Sequence, residues 1–329
     1  MPTASEARLK YEAAQTSHAM GTLTDSGDHT TFTSSNAYWS QRSGYSPEVL
    51  PNGIVNGGEV SIAASGSNNV VDAAAALVNL NGVETSVAAD TDLSITRPAT
   101  AVSKINSITI NSSGAYAVVA GTDGATTAFS STRGGAGGPP YIPVDSVEVA
   151  QIRVTSDSDA AITASEIFSL PGTHREESNY PAIDVVDYRY GKVTLADALP
   201  LAHTGDLPKR VYASYAVASM ANVQKCVDFV PPGNSASVNS KQIYGQTIAA
   251  TSVSLGQGSF KSYPEDGVTD GLVSLSGETL WFQFYPDRLK NPFHAVQGRL
   301  DFSRTFPADD QIELACTISA ETIGSDHAS

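Results

Sequence analysis

The feature that most constrains this chain is a period of two near its C-terminal end. In Thr279-Leu280-Trp281-Phe282-Gln283-Phe284-Tyr285, residues Leu280, Phe282 and Phe284 fall on one face. Along Ile312–Ser319, residues Ile312, Leu314, Cys316 and Ile318 face one way, and Glu313, Thr317 and Ser319 the other. Successive side chains leave opposite faces of a sheet, so these runs predict half-buried antiparallel strands. Leu280, Phe282, Phe284, Leu300, Phe302, Leu314, Cys316 and Ile318 are expected to share one core. From Gly245 to Glu321 the chain reads as strand after strand. No nucleophile–base pair or ligand cluster accompanies them, a pattern that suits assembly better than catalysis.

Composition narrows the class. The 329 residues are 41% hydrophobic, which suffices for real cores, and only 16% charged, well under the usual quarter. A polar surface poor in charge fits a β-rich protein covered by neighbouring copies, or a secreted β-protein. The net charge is −15, spread as −2, −6 and −7 over residues 1–55, 56–165 and 166–329. No basic stripe offers phosphate contacts, which argues against nucleic-acid affinity. Cys226 and Cys316 have no spacing that requires a disulfide, and Cys316 reads as a small buried hydrophobe. The N-terminus is too polar for a signal peptide, and no apolar run approaches the roughly 18 residues that span a bilayer. The expectation is a soluble chain made in a cytoplasm.

Three parts follow from the texture. Residues 1–56 read as an N-terminal segment, with a short helix over 4–20 and an extended polar arm over Thr22–Ser35. Tyr38, Trp39 and Tyr45 are candidate anchors for that arm, on a neighbour or on the chain's own core. Residues 57–159 read as an inserted all-β module. In it Asn81-Gly82 predicts a tight hairpin between Ala75–Leu80 and Val83–Val87, preferred over a helix across Val70–Leu80. Ser107–Ile110, Ala115–Ala120 and Val144–Val154 are further strands, and Gly134–Pro140 is a flexible loop with no phosphate-binding Lys-Ser/Thr after it. Residues 160–329 read as a β-sandwich domain. Its strands are Ile183–Leu195, Val211–Ala218 and Val223–Val230, the first two joined by a polar turn at His203–Pro208. Lys261–Gly271 reads as a long hairpin connection.

Candidate chemistry is sparse. His174 with Glu176 and Glu177 reads as a solvated charge cluster rather than a metal site. Asp90-x-Asp92 and Asp157-x-Asp159 lack the Gly and distal Glu of a calcium loop. Gly256-Gln257-Gly258 lacks the strand–turn–helix setting of a dinucleotide site. Asp309-Asp310 belongs in a turn, and no Gly-x-Ser-x-Gly elbow occurs. No enzyme, cofactor or metal is expected.

The aromatic strand Thr279–Tyr285, the corner Tyr285-Pro286-Asp287, Arg299–Phe306 and the closing Ile312–Ala320 strand resemble the C-terminal part of major tail (tail tube) proteins of long-tailed bacteriophages. With its arm and Asn-Gly-bearing insertion, the whole chain is similar to those of flagellotropic Chi-like siphophages. The resemblance implies a mainly β, tail-tube-type sandwich whose strands join those of other copies in a barrel. It implies stacked hexameric rings forming a hollow tube in the virion, through which duplex DNA passes without specific binding. Tail tip, terminator and tape measure proteins are the implied partners, with no membrane. Thr22–Pro51 would be the ring-bridging arm, and Pro264, Glu265 and Asp266 would sit in the inter-ring loop. Glu313, Glu321 and Gln283 would face an acidic lumen. The family's flanking helix is not placed: His294–Gly298 is too short, and Pro200 interrupts 196–206. A capsid decoration protein or fibre-like adhesin is the competing reading.

Overall fold

The structure, a computed structural model, describes residues 7–199, 209–243 and 246–328. It is almost entirely antiparallel β. Among the described residues, helical turns are confined to Ala164–Glu166 and Val273–Leu275. His294–Gly298 lies inside a strand, residues 196–199 are irregular, and the turn expected over His203–Pro208 falls outside the described residues. The chain divides into two compact units, interleaved in sequence. The first comprises Met1–His18, Tyr38–Pro47 and Tyr215–Ser329; the second comprises Ala19–Ala37 and Glu48–Ser214.

In the first unit the strand order is Cys226–Val230, Gln257–Ser262, Glu313–Ala320, Phe293–Thr305, Thr279–Tyr285, Arg8–Thr22 and Val211–Asn222, the last two shared with the second unit. Phe229, on the edge strand, stacks on Phe284, four strands along this order, with ring centroids 4.8 Å apart. In a flat sheet those strands would lie about 19 Å apart at the usual ~4.8 Å spacing, so the sheet is rolled. Its inner face carries Leu280, Phe282, Leu300, Leu314, Cys316 and Ile318, with Phe284 and Phe302 packed at the margin, which is the core expected from the alternation. Phe260, Leu9 and Val296 complete it.

Three readings of this unit need correction. Residues 8–22 form a strand, not a helix: Leu9 and Tyr11 pair with Phe284 and Phe282, so tertiary pairing overrides a weak helical preference. Lys261–Gly271 is not a hairpin connection. The strands it joins, Gln257–Ser262 and Thr279–Tyr285, are separated in the sheet by two others, so the segment crosses over. The reverse face of Thr279–Tyr285 is not solvated, since Trp281 is fully buried and Gln283 is 7% exposed. Cys226 and Cys316 are both free thiols.

The second unit holds several small sheets around one core of Val71, Val78, Ile108, Val149, Ile152 and their neighbours. The hairpin at Asn81-Gly82 forms as its turn chemistry requires, with φ of 54° and 75° joining Ala76–Leu80 to Val83–Val87. Ile54 and Ile162 belong to the same core, so this body runs past both ends of the 57–159 segment. The Gly134–Pro140 loop packs down instead of standing free. A Cβ on Gly137 would lie 2.5 Å from the Ser103 Oγ, and Arg133 reaches back to the Pro140 carbonyl at 2.7 Å. Much of the expected arm is also tied to its own chain: Thr31–Thr33 pairs with Lys192–Leu195, and Glu48–Pro51 with Val211–Ser214.

Candidate functional site

The first unit also carries a two-stranded ribbon that the arm reading missed. Asn234–Ile243 and Gln246–Leu255 pair with each other over ten positions, from Asn234↔Leu255 to Ile243↔Gln246. Neither pairs with another strand of the described chain. At ~3.4 Å per residue the ribbon is about 34 Å long. It springs from the outermost hairpin of the rolled sheet, Cys226–Val230 with Gln257–Ser262. The neck is Gly233 and Gly256, where the Gly256 N–H donates to the Gly233 carbonyl at 2.9 Å. A Cβ on Gly256 would sit 2.4 Å from that carbonyl oxygen, and one on Gly258 would sit 2.6 Å from the Pro232 ring. The glycines set aside as a cofactor motif therefore shape this neck. Lys241 is the sole charged residue between 234 and 255. Two strands alone are marginal in water, and a long, charge-poor ribbon with no third strand on either side among the described residues offers edges that another strand can join.

The expected lumen residues do not converge. Glu313 and Glu321 lie at opposite ends of the Glu313–Ala320 strand. Glu313 pairs with Lys261 at 3.0 Å and accepts from the Tyr263 hydroxyl at 3.3 Å. Glu321 is exposed and accepts from Thr279 at 2.9 Å, whereas Gln283 is buried within its own unit. The ladder register places Gln257, Ser259, Lys261, Arg299, Asp301, Ser303, Thr317 and Ser319 on the outer face with Glu313. Two basic and two acidic groups cancel there. This face is hydroxyl-rich and neutral, not acidic.

The inter-ring loop candidates occupy a self-braced turn. Asp266 accepts from the backbone N–H groups of Val268 and Thr269, each at 2.7 Å, and from the Thr269 hydroxyl. These bonds, the hydroxyl's first, hold its carboxyl well below the usual range. Pro264 is half-buried, while Glu265 and Val268 are exposed.

The aromatic anchors fix residues 38–47 onto the first unit's own sheet. Trp39 is fully buried and stacks on Tyr215 at 4.4 Å, and its carbonyl accepts from the Trp281 indole N–H at 2.8 Å. Tyr38 meets Trp281 edge-on at 5.2 Å, and Tyr45 is half-buried in a turn closed by its N–H to Arg42. The pin is Glu12, fully buried, which no sequence pattern marked. One of its oxygens accepts from Ser40 at 2.5 Å and Gln15 at 2.8 Å, the other from the Trp281 backbone N–H at 3.1 Å. Glu12→Ala orphans buried donors and is expected to destabilise the first unit by about 2–3 kcal/mol. Tryptophan-monitored denaturant titration checks this.

In the second unit, His174 and Glu176 are buried rather than solvated. Glu148 accepts from Arg133 at 2.6 Å and from Ser107, and its backbone N–H donates to Glu176 at 2.8 Å. Burial pushes both carboxyls up, against the pull of Arg133 on Glu148 and of Lys209 on Glu176. His174 takes its place beside Arg153 at 2.9 Å, and burial together with that cation lowers its pKa. Lys209, 2% exposed, donates to the carbonyls of Glu177 at 2.7 Å and Tyr180 at 3.0 Å. The cluster ties strands to loops. Among the described residues no group of three or more His, Cys, Asp or Glu is placed to hold a metal ion.

Lys209 gives a pH signature. Burial lowers its pKa to about 8, below the unfolded value of about 10.4. Between those values the unfolded chain binds more protons, so stability should rise with pH. Relative to Lys209→Met, the native chain should gain up to about 1.4 kcal/mol per pH unit across that window. Parallel stability curves for the two proteins from pH 8 to 10 would contradict the assignment.

No protein-family model matches this chain, and no curated protein matches it. No helix among the described residues is long and apolar enough to cross a membrane.

Proposed function

We propose that the chain is a structural virion protein, whose copies form stacked hexameric rings that make a phage tail tube conducting duplex DNA. The observation that carries this reading is the 234–255 ribbon, whose two strands pair with each other and with no other described strand. Burying its two edges against neighbouring copies removes the aggregation hazard of an open, charge-poor edge. A head-to-tail contact of that kind closes rings or propagates filaments. In this reading the ribbon takes the bridging role expected of Thr22–Pro51, whose strands are engaged in their own unit.

The conduit part rests on charge. The outer face of the 257–262, 293–305 and 313–320 strands balances two cations against two carboxylates. A wall of Ser, Thr and Gln without a run of Lys or Arg would not build up salt-dependent adhesion to phosphates. DNA slides past a neutral hydroxyl surface as it would past an acidic one. Tail tip, terminator and tape measure proteins are the partners this role requires.

Sedimentation velocity over a concentration series tests the reading. Species at six chains and its multiples are expected; a trimer or monomer that binds capsids or cells would support a decoration protein or adhesin instead.

A further inference from the structure

In a strongly acidic chain, the half-buried Arg8 and Lys10 of the first unit have no acidic partner among the described residues. Arg8 and Lys10 lie on the same face of their strand and both sit over the Tyr285 ring, at 4.6 and 5.1 Å from its centre. Neither forms an ion pair among the described residues, and the buried Arg8 Nε has no hydrogen-bond acceptor. Lys104, Arg133 and Arg175 pair with carboxylates, and Arg97 and Lys209 are satisfied by carbonyls, whereas the Arg8 Nε has neither. Arg8 also forms one wall of an open groove of about 400 Å³. Leu9, Cys226, Val227, Phe229 and Phe284 make the groove largely apolar, with Asp228 the acidic group on its wall. The strand Cys226–Val230 on its rim is the free edge of the rolled sheet, and Val227 and Val230 are exposed there.

We propose that this groove is a docking site for an extended segment of a second copy that brings a carboxylate to Arg8 and Lys10 and an apolar side chain to the groove. The inference rests on the assembly reading and specifies where copies meet. Charge complementarity selects the occupant: the chain carries 34 acidic against 19 basic residues, so its own surface offers carboxylates in excess. The free sheet edge supplies backbone donors and acceptors for an extended segment, and the apolar pocket adds side-chain selectivity. A cation pair over an aromatic ring gains attraction from the ring, but stays mutually repulsive until an anion arrives. Burial and the neighbouring Arg8 both lower the Lys10 pKa, consistent with an unneutralised pair. Duplex phosphate is the other anion such a pair could take. The apolar groove and open edge favour a peptide.

The test compares assembly of the full chain, by sedimentation, with that of Val227→Glu, Val227→Lys and the Arg8→Glu/Lys10→Glu double variant. Val227 is 42% exposed, so its substitutions keep the fold. Val227→Glu should raise the concentration for half-assembly at least tenfold, Val227→Lys should lower it, and the double variant should abolish assembly up to tenfold above the wild-type midpoint. Equal shifts from Glu and Lys at 227, or a folded double variant that assembles like wild type, would overturn the groove and leave the assembly reading standing. So would a short DNA duplex that binds wild type through Arg8 and Lys10 with assembly unchanged. A wild-type chain that is monomeric at every concentration would overturn both.

Discussion

A chain lacking residues 234–255, with Gly233 joined directly to Gly256, is expected to fold and to remain monomeric. The junction is short because Gly233 and Gly256 are already hydrogen-bonded, so a two-glycine turn closes the Cys226–Val230 and Gln257–Ser262 hairpin without displacing it. The core residues described for the first unit, Leu9, Phe260, Leu280, Phe282 and their neighbours, lie outside the excised segment. Circular dichroism should therefore retain the β signature and a cooperative melt. Sedimentation should show a single monomer peak at concentrations where the full chain is assembled. Persistence of rings or tubes without the ribbon would remove the observation on which the assembly reading rests.

Phe282→Ala is expected to destabilise the first unit by about 3–5 kcal/mol. The ring is fully buried on the inner face, packs near Phe260 with centroids 6.1 Å apart, and sits mid-strand between Tyr11 and Val296. A rolled sheet cannot collapse onto the void without shifting its register, so most of the cavity cost persists. Phe302→Ala, at the partly buried margin, should cost less. Both tryptophans, Trp39 and Trp281, belong to the first unit, so tryptophan fluorescence in a denaturant titration follows this unit specifically. A loss below about 1 kcal/mol for Phe282→Ala would contradict its place at the centre of the core.

Period two made the inner face of the rolled sheet legible, because Leu280 and Phe282, and Leu314, Cys316 and Ile318, recur at every second position. Asn-Gly gave the 81–82 turn for a reason as local, since both residues accept positive φ. What stayed hidden depends on non-local pairing. Glu12 sits in an Ala- and Gln-bearing stretch that carries no local strand pattern, and its burial comes from Ser40 and Trp281, far away in sequence. His174 and Glu176 look solvent-bound beside Arg175 and Glu177, yet Arg133, Glu148 and Lys209 arrive from other segments to enclose them. Gln283 followed the alternation onto a supposedly wet face that residues 38–47 help to cover. The ribbon had a usable signal: Ser, Thr and Val alternating around one charge, bounded by Pro231-Pro232-Gly233 and Gly256. By local rules the prolines read as the end of the Val223–Val230 strand. They mark a neck between two lengths of the same hairpin.

Negative-stain microscopy of the purified full-length chain, concentrated well above its sedimentation midpoint, tests the central claim most directly. Hollow tubes built of stacked rings, with sixfold symmetry in end-on views, are the predicted result. Fields of isolated monomers or trimers at every concentration would contradict it.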